Sequence, residues 1–357
     1  MYRIDEIARR TGLLAEGNTA IAVQRAAEPG SAGPSDLAMA LSPHYGDALT
    51  TSSARAAVLW QGADWRALGL EVALFAPRGR MGLAAITQVF DDTPQPAPGI
   101  SPLADVAPDA VIGEGVAIGP FTTVAAGARI GAGSRILGHA SIGHSAEIGP
   151  EALIHPGVRI GARVRIGARA ILHPNAVIGA DGFSFVTPER GSVEAAKGQG
   201  TRGEGGRNDA LVRIHSLGSV EIGDDVEIGA SACIDAGTIA PTRIGTATKI
   251  DNLVQIGHNC QIGSTCLICG HVGLAGSIRV GDRVVLGGKV GVADNLSIGA
   301  DTLIAGGSLV GANVPPRSVM LGVPAGPRGD VARQFAAIKR LPEALRQLSE
   351  VRKRLGL

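Results

Sequence analysis

The chain has 357 residues, and its charge is nearly balanced: 33 Lys and Arg against 32 Asp and Glu, a formal net charge of +1. That balance argues against the basic stripe of a nucleic-acid binder, and no uninterrupted apolar run is long enough to span a bilayer. Glycine is abundant at 52 residues while aromatics make up 3%, a composition suited to tight, repeated turns around narrow aliphatic layers.

The amino-terminal MYRIDEIARR has no apolar stretch after its charges, so no secretory signal is expected and a cytoplasmic location fits. Residues 1–100 mix helical and strand-like stretches, such as Val72-Ala73-Leu74-Phe75. This segment reads as an α/β domain ending in the proline-rich linker DDTPQPAPGISP.

Residues 101–320 carry a period of six. Every sixth residue from Ile112 through Ile178 is aliphatic. A second register holds Ile222, Ile228 and Ile234, and a third runs from Ile244 to Val310. A period of six fits one short strand plus one corner. The aliphatic residue points inward, and the Gly that often follows it is expected to permit the corner. Three sides close a coil, and about nine stacked coils give a parallel β-helix on the order of 40 Å long.

Two interruptions break the repeat. One spans about 180–212 and contains DGFSF and GQGTRGEGGRND; the other is a four-residue slip near Ala240. The glycine-rich stretch lacks a Lys-Ser/Thr ending and is no phosphate loop. Loops that break a rigid scaffold often carry function.

Residues 321–357 place Val331, Phe335, Ile338, Leu341, Leu345, Leu348, Val351 and Leu355 three or four apart, which is helical spacing. Pro342 is expected to divide this tail into two helices or kink it. Its Arg328, Arg333, Lys339, Arg340, Arg346, Arg352, Lys353 and Arg354 outnumber its acids. They form either a solvated helix face or a dock for an acidic protein.

His258 stands out among eight histidines. It closes the polar run Asp251-Asn252-Leu253-Val254-Gln255-Ile256-Gly257-His258-Asn259, and an imidazole can accept a proton from an amine or hydroxyl near neutral pH. Spacing alone leaves a general base and a solvated corner histidine equally open. His144 has the same hexad phase without the acidic and amide neighbours, so phase does not make a histidine catalytic. His139 and His144 have a spacing seen in zinc-dependent β-helix enzymes, but such a site needs a third histidine from an upstream coil. The only upstream histidine is His44, so no metal is expected. Cys266 and Cys269 form a lone CxxC, and burial as small hydrophobes suits the cysteines better.

Taken together, DTPQP, IGADGFSF, VEIGDDVEIGA, IDAGTI, IDNLVQIGHN, GLAGS and LGVPA resemble the UDP-3-O-acylglucosamine N-acyltransferases of lipid A biosynthesis over nearly the whole chain. The resemblance implies a left-handed β-helix and a homotrimer with sites between subunits. It implies a 3-hydroxyacyl donor on acyl carrier protein, with no cofactor beyond the carrier's phosphopantetheine, and a UDP-sugar lipid precursor as acceptor. His258 matches the family's general base, Asp251 the acid that orients it, and Gly276 the backbone donor to the oxyanion. Tyr45 matches the uracil-binding aromatic of a uridine-binding amino-terminal domain. Phe183, Asn252, Gln255 and Asn295 fall where substrate is expected. Asn295 replaces a second histidine found in many relatives, Ala236 replaces a frequent Arg, and Ser42 and Met39 replace uridine-contacting Asn and Phe. The rival readings are a hexapeptide acyltransferase acting on a sugar hydroxyl, a sugar nucleotidyltransferase and a non-catalytic β-helix. A nucleotidyltransferase would need a glycine-rich nucleotide loop at the start of the chain, and residues 1–40 show none.

Overall fold

A hexad that buries one aliphatic per side cannot bury it alone, so the coils must stack. The computed structural model describes residues 1–93, 96–189, 210–322 and 327–355. Within them, strands of two to four residues stack into three parallel sheets of nine, eleven and ten strands, a three-sided β-solenoid. The chain visits the eleven-stranded, ten-stranded and nine-stranded sheets in turn. Ile136 pairs in register with Ile154, and Ile142 with Ile160. Each side buries a large aliphatic and a smaller residue at the corner before it, as in Ala140 with Ile142 and Ala152 with Ile154. Cys260 and Cys266 occupy that smaller position and are fully buried.

The glycines work differently from the sequence expectation. The Gly after each aliphatic mostly keeps ordinary backbone angles. The left-handed conformation falls two residues later, on residues such as His139, Leu253 and Asn259. What the glycine supplies is room: a Cβ on Gly143 would sit 2.6 Å from the carbonyl carbon of Gly161 in the next coil.

Stacked partners are 18 residues apart in the lower coils, as for Ile148 and Ile166. Across the first interruption Ile166 pairs with Ile222, and across the second Ile222 pairs with Ile244. The regular stack resumes at Val220–Ile222, later than residue 212, because the excursion returns through a small hairpin of Phe185–Val186 with Val212–Arg213. The glycine-rich stretch of this loop lies outside the described residues. Both interruptions fall at the corner between the ten-stranded and nine-stranded sheets.

The chain divides into compact units Met1–Gln95 and Pro96–Leu357. The first holds a five-stranded sheet in the order Leu14–Gly17, Val72–Ala76, Ala56–Trp60, Asp36–Ala40, Arg25–Ala27. Only the Leu14–Gly17 edge is antiparallel to its neighbour. Ile4, Ile7, Ile86 and Val89 from two helices cover one face, and Leu49, Trp65 and Leu70 cover the other. Tyr45 lies in the turn Pro43–Tyr45, just beyond the carboxyl end of Asp36–Ala40, and is 41% exposed. Ligands of open α/β sheets bind at that end of the strands.

The tail is one helix, Arg328–Arg354, with Pro342 inside it, so Pro342 does not divide it. The ring's fixed φ is helical, and the lost backbone bond lies on a helix with no buried residue, where water can serve the freed carbonyl. No helix among the described residues is long and apolar enough to cross a membrane.

Candidate active site

The two interruptions, far apart in sequence, converge on His258. Gly182 of the first is buried, and a Cβ there would lie 2.8 Å from His258 Cβ. Its N–H donates to Ser216 Oγ at 2.9 Å, which ties the two legs of the excursion together. From the second, the Thr238 N–H and hydroxyl both donate to Asn259 Oδ1, at 3.2 and 2.9 Å. His258 Nδ1 stands 2.8 Å from the same oxygen. Gly276 lies one coil on, and a Cβ built on it would lie 2.8 Å from His258 Nε2. The imidazole is therefore walled by two glycines, and a methyl group at either would displace it.

Near enough to feel the His258 charge lies Asp235, 7% exposed. Its Oδ1 accepts from Gln255 Nε2 at 3.1 Å and from the Cys233 thiol at 3.7 Å. Burial pushes the Asp235 carboxyl above the usual carboxylate range, against the pull of Gln255, Cys233 and the nearby charge of His258. Burial, with Asp235 adding to it, pushes the Cys233 thiol up to about 11. That cysteine is a poor nucleophile at neutral pH. Asn295 is drawn to the same corner, since its N–H donates to the Gly276 carbonyl at 3.1 Å. Phe183, next to Gly182, is 87% exposed and meets Phe185 edge-on at 5.2 Å.

Asp251 and Asn252 are elsewhere, at the corner between the eleven-stranded and ten-stranded sheets. Asp251 accepts from the N–H groups of Asn252 and Gly270 at 2.7 and 2.9 Å. Asn252 Oδ1 accepts from the Ala230 N–H at 2.6 Å. Both residues staple neighbouring coils together and line a depression of about 470 Å³ shared with His173, Glu227, Lys249 and Leu267. Within one chain, then, the expected acid and base flank the ten-stranded sheet from opposite edges.

Sequence reasoning missed Asp235, Gly182 and the role of Asn259. The first two sat in quoted motifs, IDAGTI and IGADGFSF, but only stacking shows what they touch. His139 and His144 occupy different corners, with His139 stacked on Phe121 at 5.0 Å. No cluster of three or more metal-ligating side chains occurs among the described residues.

The family model for bacterial transferase hexapeptide repeats matches residues 109–144 and 145–180. A UDP-3-O-acylglucosamine N-acyltransferase of Ruegeria pomeroyi is 53% identical over 274 residues, covering 76% of this chain and 75% of that protein. One from Pseudomonas paraeruginosa is 33% identical over 356 residues, covering 99% of this chain and 95% of that protein. Among solved structures, an Arabidopsis UDP-N-acetylglucosamine acyltransferase superposes with a TM-score of 0.52 at 25% identity, over 63% of this chain and 71% of that one. A hexapeptide solenoid interrupted twice at a histidine corner, with relatives matched at this level, places the chain in the family of UDP-3-O-acylglucosamine N-acyltransferases.

Proposed function

We propose that this enzyme transfers a 3-hydroxyacyl group from acyl carrier protein to the 2-amino group of UDP-3-O-acylglucosamine, a step of lipid A biosynthesis in the cytoplasm. The observation that carries the reading is the convergence of both solenoid interruptions on His258, with Gly276 against its Nε2. A base at that nitrogen takes a proton from the amine as the amine attacks the thioester carbonyl. The C–N bond forms, the tetrahedral oxyanion accepts from the Gly276 N–H, the C–S bond breaks, and the proton passes from the imidazolium to the departing thiolate.

A homotrimer completes the site. His258 and Asp251 lie at opposite edges of the ten-stranded sheet, so a head-to-tail ring that turns that sheet outward and joins the other two brings Asp251 and Asn252 of one copy toward His258 of the next. Phe183 and Asn295, beside the ring, and Gln255, on Asp235, are the residues for acyl and sugar contacts. The amino-terminal domain holds the uracil on Tyr45, and the basic tail helix docks the acidic carrier protein.

The test is turnover of a 3-hydroxyacyl-acyl carrier protein with UDP-3-O-acylglucosamine, and with the N-acetylated analogue as control, read by mass spectrometry. Diacylated product from the free amine alone is expected, and His258→Ala should remove at least 10²-fold of the turnover while the protein stays folded. Acylation of the blocked analogue would redirect the assignment to a sugar hydroxyl. Full activity of His258→Ala would remove the base.

A further inference from the structure

We infer that Asn259, held by Thr238, is the positioning residue that makes His258 a base, by fixing the imidazole proton on Nδ1 and leaving the Nε2 lone pair free. The inference rests on the acyl-transfer reading above but concerns a group that need not touch either substrate.

The argument is one of hydrogen-bond direction. A backbone N–H can only donate, so the atom of the Asn259 amide that faces the Thr238 N–H at 3.2 Å must be its oxygen. The Thr238 hydroxyl donates to the same oxygen at 2.9 Å, and the amide nitrogen faces the Ala240 carbonyl at 3.4 Å. Both ends of the amide agree. Rotating it by 180° would set NH₂ against N–H and carbonyl against carbonyl. The atom 2.8 Å from His258 Nδ1 is therefore an acceptor, and Nδ1 must carry the proton. The lone pair then lies on Nε2, the nitrogen beside Gly276.

The lock is built from the second interruption. Thr238 and Ala240 belong to the slip between Cys233–Asp235 and Thr242–Ile244, and the Asn259 N–H in turn donates to Thr242 Oγ1 at 2.9 Å. Asn259 also adopts φ +62°, a left-handed corner conformation that asparagine accepts readily. At the corner of His144, which shares the hexad phase, the corresponding residue is Ser145. The amide oxygen is neutral, so it orients the ring without stabilising the imidazolium as a carboxylate would. The titratable groups on the segments that pack here include Asp235, whose carboxyl senses His258, Asp294 on the coil beyond Gly276, Asp181 beside Gly182 and 3.9 Å from Arg213, and, in the proposed ring, Asp251 of the next copy.

The test compares Asn259→Ala and Asn259→Asp with the full-length enzyme by kinetics, thermal melting and imidazole 15N NMR. In the wild type, the His258 signals should show a protonated Nδ1 and an unprotonated Nε2 above the ring's titration. Asn259→Ala should lower kcat by about 10- to 100-fold with KM for the acceptor within about threefold, and mix the two tautomers. Asn259→Asp keeps an acceptor at the same place, so it should retain the tautomer. Its carboxylate should favour the imidazolium and move the acid limb of kcat/KM to higher pH by about one unit. A wild-type spectrum with the proton on Nε2 would overturn the inference. So would an Asn259→Ala enzyme with native kcat, or an Asn259→Asp profile superposable on the wild type. An inactive wild-type protein with the Nδ1 tautomer would instead count against the acyl-transfer reading and leave the lock standing.

Discussion

Gly182 and His258 are 76 positions apart in the chain, yet a Cβ on Gly182 would fall 2.8 Å from the His258 Cβ. Gly276 closes the opposite side at a similar distance from Nε2. The ring is thus held by absent side chains, and its space is defined as much by two glycines as by the histidine.

Adding one methyl group should show this. Gly276→Ala must push the imidazole aside, and a misplacement on the order of 1 Å costs about 10²-fold in rate. Turnover should fall by that order while the melting temperature moves little, since the displaced ring lies at a corner outside the aliphatic core. Gly182→Ala should act in the same direction. Native kcat in both variants would mean that the ring does not need this position.

Complementation between inactive copies tests the shared site. His258→Ala and Asp251→Asn subunits, each inactive alone, should regain activity when mixed. With random assembly, about one quarter of the sites would pair a native His258 with a native Asp251 across an interface. No recovery from verified mixed trimers would place acid and base on separate tasks.

Asp235 should leave a mark on stability. Burial raises its folded carboxyl pKa, so the ionised form is penalised in the folded state. That penalty is present above the raised pKa and vanishes below the ordinary carboxylate range, where the group is neutral in both states. Asp235→Asn should therefore melt higher than wild type at neutral pH, with the gap closing as the pH falls through the carboxylate range, and should still lose activity. A gap that widens on acidification would contradict the assigned direction.

The tail helix can be tested by removal. Its apolar side chains Phe335, Ile338, Leu341, Leu345 and Leu348 are all exposed, so truncation after Gly322 should leave the solenoid's melting unchanged. KM for the carrier-protein donor should rise about tenfold at low salt, with the difference shrinking as salt screens the attraction. A small pantetheine thioester should be used equally by both forms. Equal loss with both donors would assign the tail a structural role.

The hexad of Ile112 to Val310 determined the solenoid by itself, because a six-residue aliphatic period has one economical way to be buried. It also marked both interruptions, whereas His258 was set apart from His144 of the same phase only by its polar neighbours and the family resemblance. Its local reading of glycine failed, since the clash that excludes a side chain at Gly143 comes from Gly161 in the next coil. The stacking alone decided that both interruptions meet at one corner, that Asp235 lies near His258, and that Asp251 faces the opposite edge of the sheet. The physical reason is register. Each insertion changes which residues become neighbours, from 18 apart to 56 and then 22, and hydrogen-bond direction at His258 depends on a loop that the hexad pattern does not describe.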